Sequence, residues 1–297
     1  MSLKSISVDP GAVSTAEFHG HMLSAVAPRP IAFASTVDKE GNVNLSPFSF
    51  FNCFGSNPPT LIFSPSRRVR DNTTKHTLDN VLEVPEVVIN IVSYSIAEQM
   101  SLASTEYDRG INEFLKSGLT PIASERVKPP RVAEAPAAFE CVVKEVIPLG
   151  NEGGAGNLVI CEVLLMHIQE QVLDEQGKID PHKLDAIARM GANYYCRASG
   201  AAVFEIAKPL RHQGIGIDQF PEAIRNSKIL TGNDLGKLGN TAVLPDATSV
   251  QEFARQEALE DQWSGLGELD RVQQQQLLAQ KYLQRGLVEE AWKVLLS

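Results

Sequence analysis

A short cationic segment is the part of this sequence whose residue types most plainly suggest chemistry. Residues 67–75 carry three arginines and one lysine, in a chain whose formal net charge is −9. Hydroxyl side chains and a predicted helix start accompany them. Arginine, lysine and helix N-terminal N–H groups all favour a phosphate, which carries about −1.5 to −2 charges at neutral pH. A phosphate site and a solvated basic helix start account equally well for this segment taken alone.

Two further segments place small polar residues inside stretches that are otherwise apolar. They are residues 27–36 (APRPIAFAST) and 44–52 (NLSPFSFFN). Serine, threonine and asparagine on strands can hydrogen-bond the nitrogens and carbonyls of a flat heterocycle, while phenylalanine and proline cover its faces. Taken singly, each segment is better explained as an edge strand whose polar side chains meet water.

Other chemistries lack their sequence motifs. The chain has no GxxxxGK[ST] loop, no HExxH, no pair of CxxC motifs and no GxSxG elbow. The glycine-rich stretch 150–157 lacks the GxGxxG spacing and precedes a strand, so we predict a flexible hairpin loop rather than a dinucleotide-binding turn. His19 and His21 would share a face of a predicted extended segment, but a pair alone is weak evidence for a metal, and none is predicted.

The composition is that of an ordinary globular protein, with 43% hydrophobic and 21% charged residues among 297. The negative net charge argues against a nucleic-acid partner, which needs a basic surface. The chain has neither an apolar run long enough to span a membrane nor the apolar N-terminal stretch of a secretory signal. Its four cysteines lie in apolar or strand-like runs, as reduced cysteines of cytosolic proteins do, so a cytoplasmic location is expected.

The elements that would position these segments are mostly short strands. Strands are predicted over residues 30–37, 43–54, 60–64, 87–93, 139–149 and 157–173. Gly41 and Asn42 tolerate positive φ and favour a hairpin between the first two. Asp71 or Asn72 is the predicted N-cap of the first of three helices, over residues 73–82, 95–103 and 110–116. Because strands and helices do not alternate regularly, a mainly antiparallel barrel is favoured over a parallel doubly wound sheet.

The pattern changes from about Lys208. Glycine and turn residues are frequent as far as residue 247, and three helices are then predicted, over residues 249–260, 269–285 and 287–296. Gly286 separates the last two and predicts a helical hairpin. We therefore predict two domains, residues 1–207 and a mostly helical C-terminal extension, 208–297.

The order of motifs RPIAFAST, NLSPFSFFN, PPTLIFSPS and KHT resembles the flavin reductase-like family of FMN-binding split barrels. That family includes flavoredoxins and the reductase components of two-component monooxygenases. The similarity continues through INEF (111–114) and through residues 135–141 and 188–195, and covers roughly residues 15–200. It implies a mainly β fold, an antiparallel, Greek-key-like split β-barrel with peripheral helices, assembled as a homodimer.

The resemblance also implies which residues hold the cofactor. For the ring and ribityl chain of FMN they are Arg29, Ser35, Thr36, Ser46, Ser49, Phe51 and Asn52. For its phosphate they are Ser66, Arg68, Lys75 and Thr77. Arg189 and Tyr194 would close over the cofactor, either of the same subunit or of the partner subunit. The family commonly has Lys-Asp-Thr where this chain has Lys75-His76-Thr77, so the role of His76 is left open.

The implied activity is that of an NAD(P)H-dependent flavin reductase. Flavin N5 would accept hydride from NADH or NADPH, and the electrons would pass to a second flavin, oxygen, a monooxygenase or another redox protein, with no catalytic side chain required. Three alternatives stay open: a pyridoxamine-phosphate-oxidase-like amine oxidation, a non-catalytic FMN electron carrier, and a flavin-binding interaction protein that acts through residues 208–297. The resemblance leaves that extension unexplained, and a helical arm that stabilises the dimer is its simplest interpretation.

Overall fold

The computed structural model describes residues 4–206, 208 and 213–297 and divides the chain into two compact units, Met1–Phe204 and Glu205–Ser297. The predicted domain boundary after residue 207 adjoins residues outside the described ranges. Strands occur only in the first unit among the described residues, and the second unit is helical.

Eleven strands lie in the described part of the first unit. They are β1 Ala32–Val37, β2 Val43–Phe48, β3 Phe51–Ser56, β4 Pro59–Phe63, β5 Glu86–Asn90, β6 Pro121–Ile122, β7 Arg131–Val132, β8 Ala137–Pro148, β9 Asn157–Ile168, β10 Ile187–Arg189 and β11 Tyr195–Arg197. Its helices are α1 Thr15–Ala25, α2 His76–Glu83, α3 Ala97–Leu102, α4 Glu113–Ser117 and α5 Pro181–Leu184, with short 3₁₀ turns at Tyr94–Ile96, Glu170–Val172 and Gly200–Ala202.

Seven of these strands form one antiparallel sheet in the order β2-β1-β5-β8-β9-β4-β3. Its two edge strands are consecutive in the chain and are joined only by Ser49 and Phe50. A flat sheet of seven strands would hold its edges about 29 Å apart, whereas the chain from Phe48 to Phe51 spans at most about 11 Å. The sheet must therefore curl until its edges meet, which gives the split barrel that was predicted.

The short link at Ser49 and Phe50, called the corner below, corrects one prediction. A single strand over residues 43–54 is wrong, because the chain leaves one edge of the sheet at Phe48 and joins the other at Phe51. Ser49 and Phe50 are not a strong turn signal such as Asn-Gly, and phenylalanines continue on both sides of them, so the sequence marks the break only weakly.

Both faces of β1 are covered, which explains its continuous apolar run. Ala32 and Ala34 point into a barrel core that also contains Leu78 of α2. Phe33 points to the opposite face, against a second cluster with Phe114 of α4. The alternation follows from the two-residue period of a strand.

Helix α1 was not predicted. Its presence shows that the prediction of an extended segment at His19 and His21 is wrong. Ser14 caps it by accepting a hydrogen bond from the Glu17 N–H at 3.2 Å, but none of its residues is buried, so it shows no apolar face. His19 and His21 lie on this helix and not on an extended segment. Residues two apart on a helix point about 200° away from each other, so the predicted shared face is wrong.

Helix α2 begins later than predicted. Neither Asp71 nor Asn72 is its N-cap, because Asp71 closes a local turn instead: its Oδ1 accepts from the N–H and the hydroxyl of Thr73, at 3.1 and 2.7 Å. The helix starts at His76, with Lys75 as the N-cap residue and no side-chain cap. In addition, the last long strand ends at Ile168, five residues before its predicted end.

The C-terminal unit is helical, as predicted. Its helices are α6 Glu222–Arg225, α7 Gly232–Gly239, α8 Ala247–Gln256, α9 Leu259–Gln262, α10 Glu268–Gln284 and α11 Val288–Leu296, and a 3₁₀ turn spans Ile217–Gln219. Gly286, at φ 78°, links α10 and α11 as the predicted hairpin. The predicted helix 249–260 is two helices, because Ala258 adopts a left-handed conformation at φ 48°.

A single apolar cluster holds this unit together around Trp292, which is fully buried. The Trp292 indole N–H lies 3.2 Å from the Leu238 carbonyl and 3.1 Å from the Thr241 hydroxyl, so its polar atom is satisfied inside the core. Among the described residues, no helix of either unit combines the length and apolarity that crossing a membrane requires.

Candidate functional site

Three cations converge on one carboxylate beside α2. The Glu106 carboxylate lies 3.0 Å from Arg68 Nε, 3.3 Å from Lys75 Nζ and 2.5 Å from an Arg70 guanidinium nitrogen. Hydrogen bonds from Arg68, and then the charge and hydrogen bond of Lys75, lower the pKa of Glu106 to about 2. Of these cations, Arg68 and Lys75 belong to the predicted phosphate set.

Arg68 and Lys75 line a pocket together with two other predicted site residues, Ser46 at the end of β2 and Thr77 in the first turn of α2. The Thr77 hydroxyl accepts a hydrogen bond from the Asn44 amide at 3.0 Å, which holds strand and helix together at the pocket. The structure thus brings four predicted residues to one place. Ser66 lies two residues before Arg68 in the same loop but does not line this pocket.

The fourth cation of the segment, Arg67, has a structural role. Its guanidinium donates to the Asn72 side-chain and main-chain oxygens, both at 2.6 Å. Asn72 itself is left-handed, at φ 57°, and its amide donates to the Asn151 carbonyl at 2.9 Å. Arg67 therefore braces the turn that presents Arg68 instead of facing a ligand.

The glycine-rich loop at residues 150–156 packs against the cationic segment. Its contacts do not support the prediction that the loop is flexible. The Gly154 N–H donates to the Arg67 carbonyl at 3.0 Å, and the Arg67 N–H donates to the Ala155 carbonyl at 2.9 Å. A Cβ on Gly153 would lie 2.9 Å from the Val69 carbonyl oxygen and 3.0 Å from that of Arg68. Glycine is needed there because the loop lies directly against the backbone of the cationic segment.

His76 lies in the same pocket, at the position where the family commonly has aspartate. Burial, followed by the positive charge of Arg68, lowers the pKa of His76 below its usual 6.5. The imidazole is therefore neutral at pH 7, so it adds no positive charge to the cluster and, unlike an aspartate, no negative charge either.

Glu113 is a buried acid that sequence reasoning did not single out, although it lies in the INEF motif. Its side chain lines the pocket, and its Oε2 accepts a hydrogen bond from the Leu45 N–H at 2.9 Å. Burial raises the pKa of Glu113 above its usual 4.5. The contact fixes the part of β2 that lies between Asn44 and Ser46.

A second group of predicted residues gathers around Arg29, which is 6% exposed. Its guanidinium donates to the carbonyls of Leu23 and Val26 (2.6 Å) at the end of α1 and to the Met190 carbonyl (2.7 Å), and its Nε lies 3.4 Å from the Ser49 hydroxyl. Main-chain carbonyls take most of its donors. Arg29 therefore ties α1, the corner and the 190 loop together, and its contact with a flavin stays a prediction.

The last two predicted site residues, Arg189 and Tyr194, lie on the β10–β11 hairpin. Arg189 pairs with Arg29 through reciprocal main-chain hydrogen bonds of 2.9 Å, and its guanidinium lies 4.7 Å from the centroid of the Tyr195 ring. The Tyr194 side chain is exposed. The hairpin thus places Arg189 beside Arg29, and the predicted closing role of both residues stays a prediction.

The remaining predicted residues lie on strands near these groups. Thr36 accepts a hydrogen bond from the Asn80 amide at 3.1 Å, inside the fold. Ser35 is fully buried, and its hydroxyl has no hydrogen-bond partner among the described residues. On β3, Phe51 is half-buried and Asn52 is exposed. Neither Ser35 nor Thr36, the two predicted site residues on β1, lines the cationic pocket.

The donor set fits the phosphate end of FMN. Arg68 and Lys75 supply charge, the hydroxyls of Ser46 and Thr77 supply hydrogen bonds, and α2 begins at the pocket without a side-chain cap. Ser46 in this pocket and Ser49 beside Arg29 are three residues apart, so their Cα atoms lie at most about 11 Å apart. One extended ligand can therefore reach both groups of predicted residues.

A second cavity, of about 740 Å³, lies in the C-terminal unit, between α8, α9, α10 and the chain end. Arg255 and Arg271 line it, but so do Glu260, Asp261 and the C-terminal Ser297. Two acidic side chains beside the two arginines make it a poor match for a phosphate. In the part of the chain that the structure describes, no cluster of three or more His, Cys, Asp or Glu side chains is arranged to hold a metal ion.

Comparison with known proteins identifies the class. Residues 23–187 match the sequence profile of the flavin reductase like domain, which is more than half of the chain. The protein therefore belongs to the flavin reductase-like family, and flavin-related oxidoreductase chemistry is the activity that the family supports.

Individual relatives agree with this placement. An uncharacterized protein from Aquifex aeolicus is 39% identical over 185 residues, 62% of this chain and 92% of the relative. Nitrilotriacetate monooxygenase component B from Bacillus cereus is similar in structure, with a TM-score of 0.64 and 30% identity over 69% of this chain and 100% of its own. The 2-nitrobenzoate 2-nitroreductase of Pseudomonas fluorescens has a TM-score of 0.59 and 26% identity, over 68% and 96%.

Proposed function

We propose that this protein is an FMN-dependent flavin reductase that takes hydride from NADH or NADPH. The observation that carries the proposal is the pocket in which Arg68 and Lys75 meet Ser46 and Thr77, within a barrel of the flavin reductase-like family. Bound FMN would supply the hydride acceptor, its N5 atom. The work of the protein is then to bind and orient the flavin.

The side chains divide this work between the two ends of the cofactor. Arg68 and Lys75 would bind the phosphate, and the hydroxyls of Ser46 and Thr77 would complete its hydrogen bonds. Asn52 and Phe51 on β3, with Ser49 at the corner, would contact the ring or the ribityl chain. Arg29 would act mainly as the tie that holds these elements in place.

We assign this function to the first domain, residues 1–207, and propose that its electrons go to a flavin-using monooxygenase or another redox protein. The similarity to nitrilotriacetate monooxygenase component B supports a monooxygenase partner. The extension 208–297 lies outside the matched region 23–187. We propose that it is a helical arm that stabilises the dimer.

We also propose a homodimer. Leu164, Met166 and Ile168 alternate along β9, so they share one face, and all three are partly exposed. A row of exposed apolar side chains on a strand is typical of a surface that a second protein chain covers. Sedimentation equilibrium of the purified protein distinguishes the dimer from a monomer.

The test of the activity is an anaerobic titration followed by visible absorption. FMN is added to the purified protein, then NADH and NADPH in separate samples, and the flavin band near ~450 nm is recorded. We expect binding and bleaching with at least one nucleotide. If FMN binds and neither nucleotide bleaches it, the protein is an electron carrier, and if FMN does not bind, the proposal is wrong.

A further inference from the structure

The pocket proposed for the FMN phosphate already holds an anion of the protein itself. Glu106 contacts both pocket cations, Arg68 at 3.0 Å and Lys75 at 3.3 Å, and it also lines the pocket. A carboxylate and a phosphate are recognised by the same cation donors. The phosphate cannot use the Arg68 Nε–H or the Lys75 N–H that Glu106 occupies, so it must compete with Glu106 for both.

The charges of the cluster favour exchange over simultaneous binding. Arg68, Arg70 and Lys75 supply three positive charges, while Glu106 and the Arg70-bound Asp71 supply two negative ones. A phosphate of about −2 charges added beside Glu106 would make the cluster negative by about one charge. If Glu106 leaves the cluster for water when the phosphate binds, the net charge of the cluster is about zero.

Glu106 also anchors its loop. The N–H groups of Ser104, Thr105 and Tyr107 donate to the carbonyls of Ser101, Leu102 and Thr105, all within three residues. These hydrogen bonds are local, and the ion pairs that join this stretch to the cationic segment are those of Glu106. Breaking them frees the loop from that segment.

We propose that Glu106 is a built-in competitor for the phosphate site: it binds Arg68 and Lys75, and the ligand phosphate displaces it from them. This inference rests on the proposed function for the identity of the ligand. It adds that phosphate binding is coupled to release of residues 104–108, so the site responds to the phosphate of a flavin nucleotide and not to the flavin ring.

The test compares Glu106→Gln with Asp108→Asn in the full-length protein. Both substitutions remove one negative charge from the same loop. Unlike Glu106, however, Asp108 forms no ion pair with any described residue. Affinities for FMN, riboflavin and inorganic phosphate are measured by calorimetry. We expect E106Q to bind FMN and phosphate about two- to five-fold more tightly and riboflavin unchanged, and D108N to bind all three like the wild type.

Hydrogen exchange of the wild type gives a second readout. FMN or phosphate should accelerate exchange in the peptide that covers residues 104–108. Weaker or unchanged FMN binding by E106Q, an equal gain in D108N, or slower exchange in that peptide would overturn the inference while leaving the flavin function intact. Phosphate that releases the loop in a protein that binds no FMN would instead support the inference and refute the proposed function.

Discussion

Replacing Arg68 should separate phosphate recognition from ring recognition. Arg68 is partly buried, with 15% of its side chain exposed, whereas Arg70 is 69% exposed, and both contact Glu106. A charge-assisted hydrogen bond at a sheltered site contributes about 1.5–3 kcal/mol, which is about 10- to 100-fold in affinity. An exposed ion pair contributes about 0–1 kcal/mol, so Arg70→Ala should cost at most about five-fold. Arg70 is therefore the matched control for Arg68→Ala.

The assay is quenching of flavin fluorescence, with FMN and riboflavin titrated in parallel. Arg68→Ala should lose FMN affinity and keep its riboflavin affinity within a factor of about three, because riboflavin has no phosphate. Thermal unfolding of both variants is the control for folding, since Arg68 also donates to the Thr73 hydroxyl at 2.9 Å. The reasoning is refuted if the two variants lose FMN equally, or if Arg68→Ala loses riboflavin as strongly as FMN.

Three further predictions concern packing and ionisation. Gly153→Ala should weaken FMN binding by displacing the cationic segment, whereas Gly150→Ala, whose Cβ would meet only a side-chain atom at 3.4 Å, should not; equal affinities would contradict this. Burial raises the pKa of Glu113, so the protonated carboxyl contributes its full stability below pH 4.5, and this stability is lost as the pH rises through the folded pKa. Glu113→Gln should therefore flatten the decline of the urea midpoint measured from about pH 5 to 8. Burial raises the pKa of Cys161 to about 12, while Cys53 is exposed, so a thiol reagent at pH 8 should modify Cys53 in the folded protein and Cys161 only after unfolding, as mass spectrometry will show.

The strands of the barrel could be predicted because burial on both faces produces continuous apolar runs. Residues 32–37 and 86–90 are strands for this reason. The first lies inside the predicted range 30–37, and the second overlaps the predicted range 87–93. Helix α1 could not be predicted in the same way, since a helix without buried residues leaves no periodic pattern. The corner also escaped prediction, because its direction depends on the curvature of the whole sheet.

The candidate site was predicted in part. The cations at Arg68 and Lys75 stand out in an acidic chain, so their cluster could be found from composition alone. Glu106 could not, because it is one exposed acid among many and its partners lie more than thirty residues away in the chain. The N-cap of α2 was misplaced for a local reason, since Asp71 can close a turn as readily as it can cap a helix.

The corner has a mechanical consequence for the site. The two residues between β2 and β3 form a covalent tether across the slit of the barrel, so the Cα atoms of Phe48 and Phe51 can never separate by more than about 11 Å. Ser46 lies just before this tether and Asn52 just after it. Thermal separation of β2 from β3 is therefore limited at this point by covalent bond geometry rather than by hydrogen bonds. The tether therefore limits how far apart β2 and β3, which carry proposed cofactor-binding residues, can move at this point.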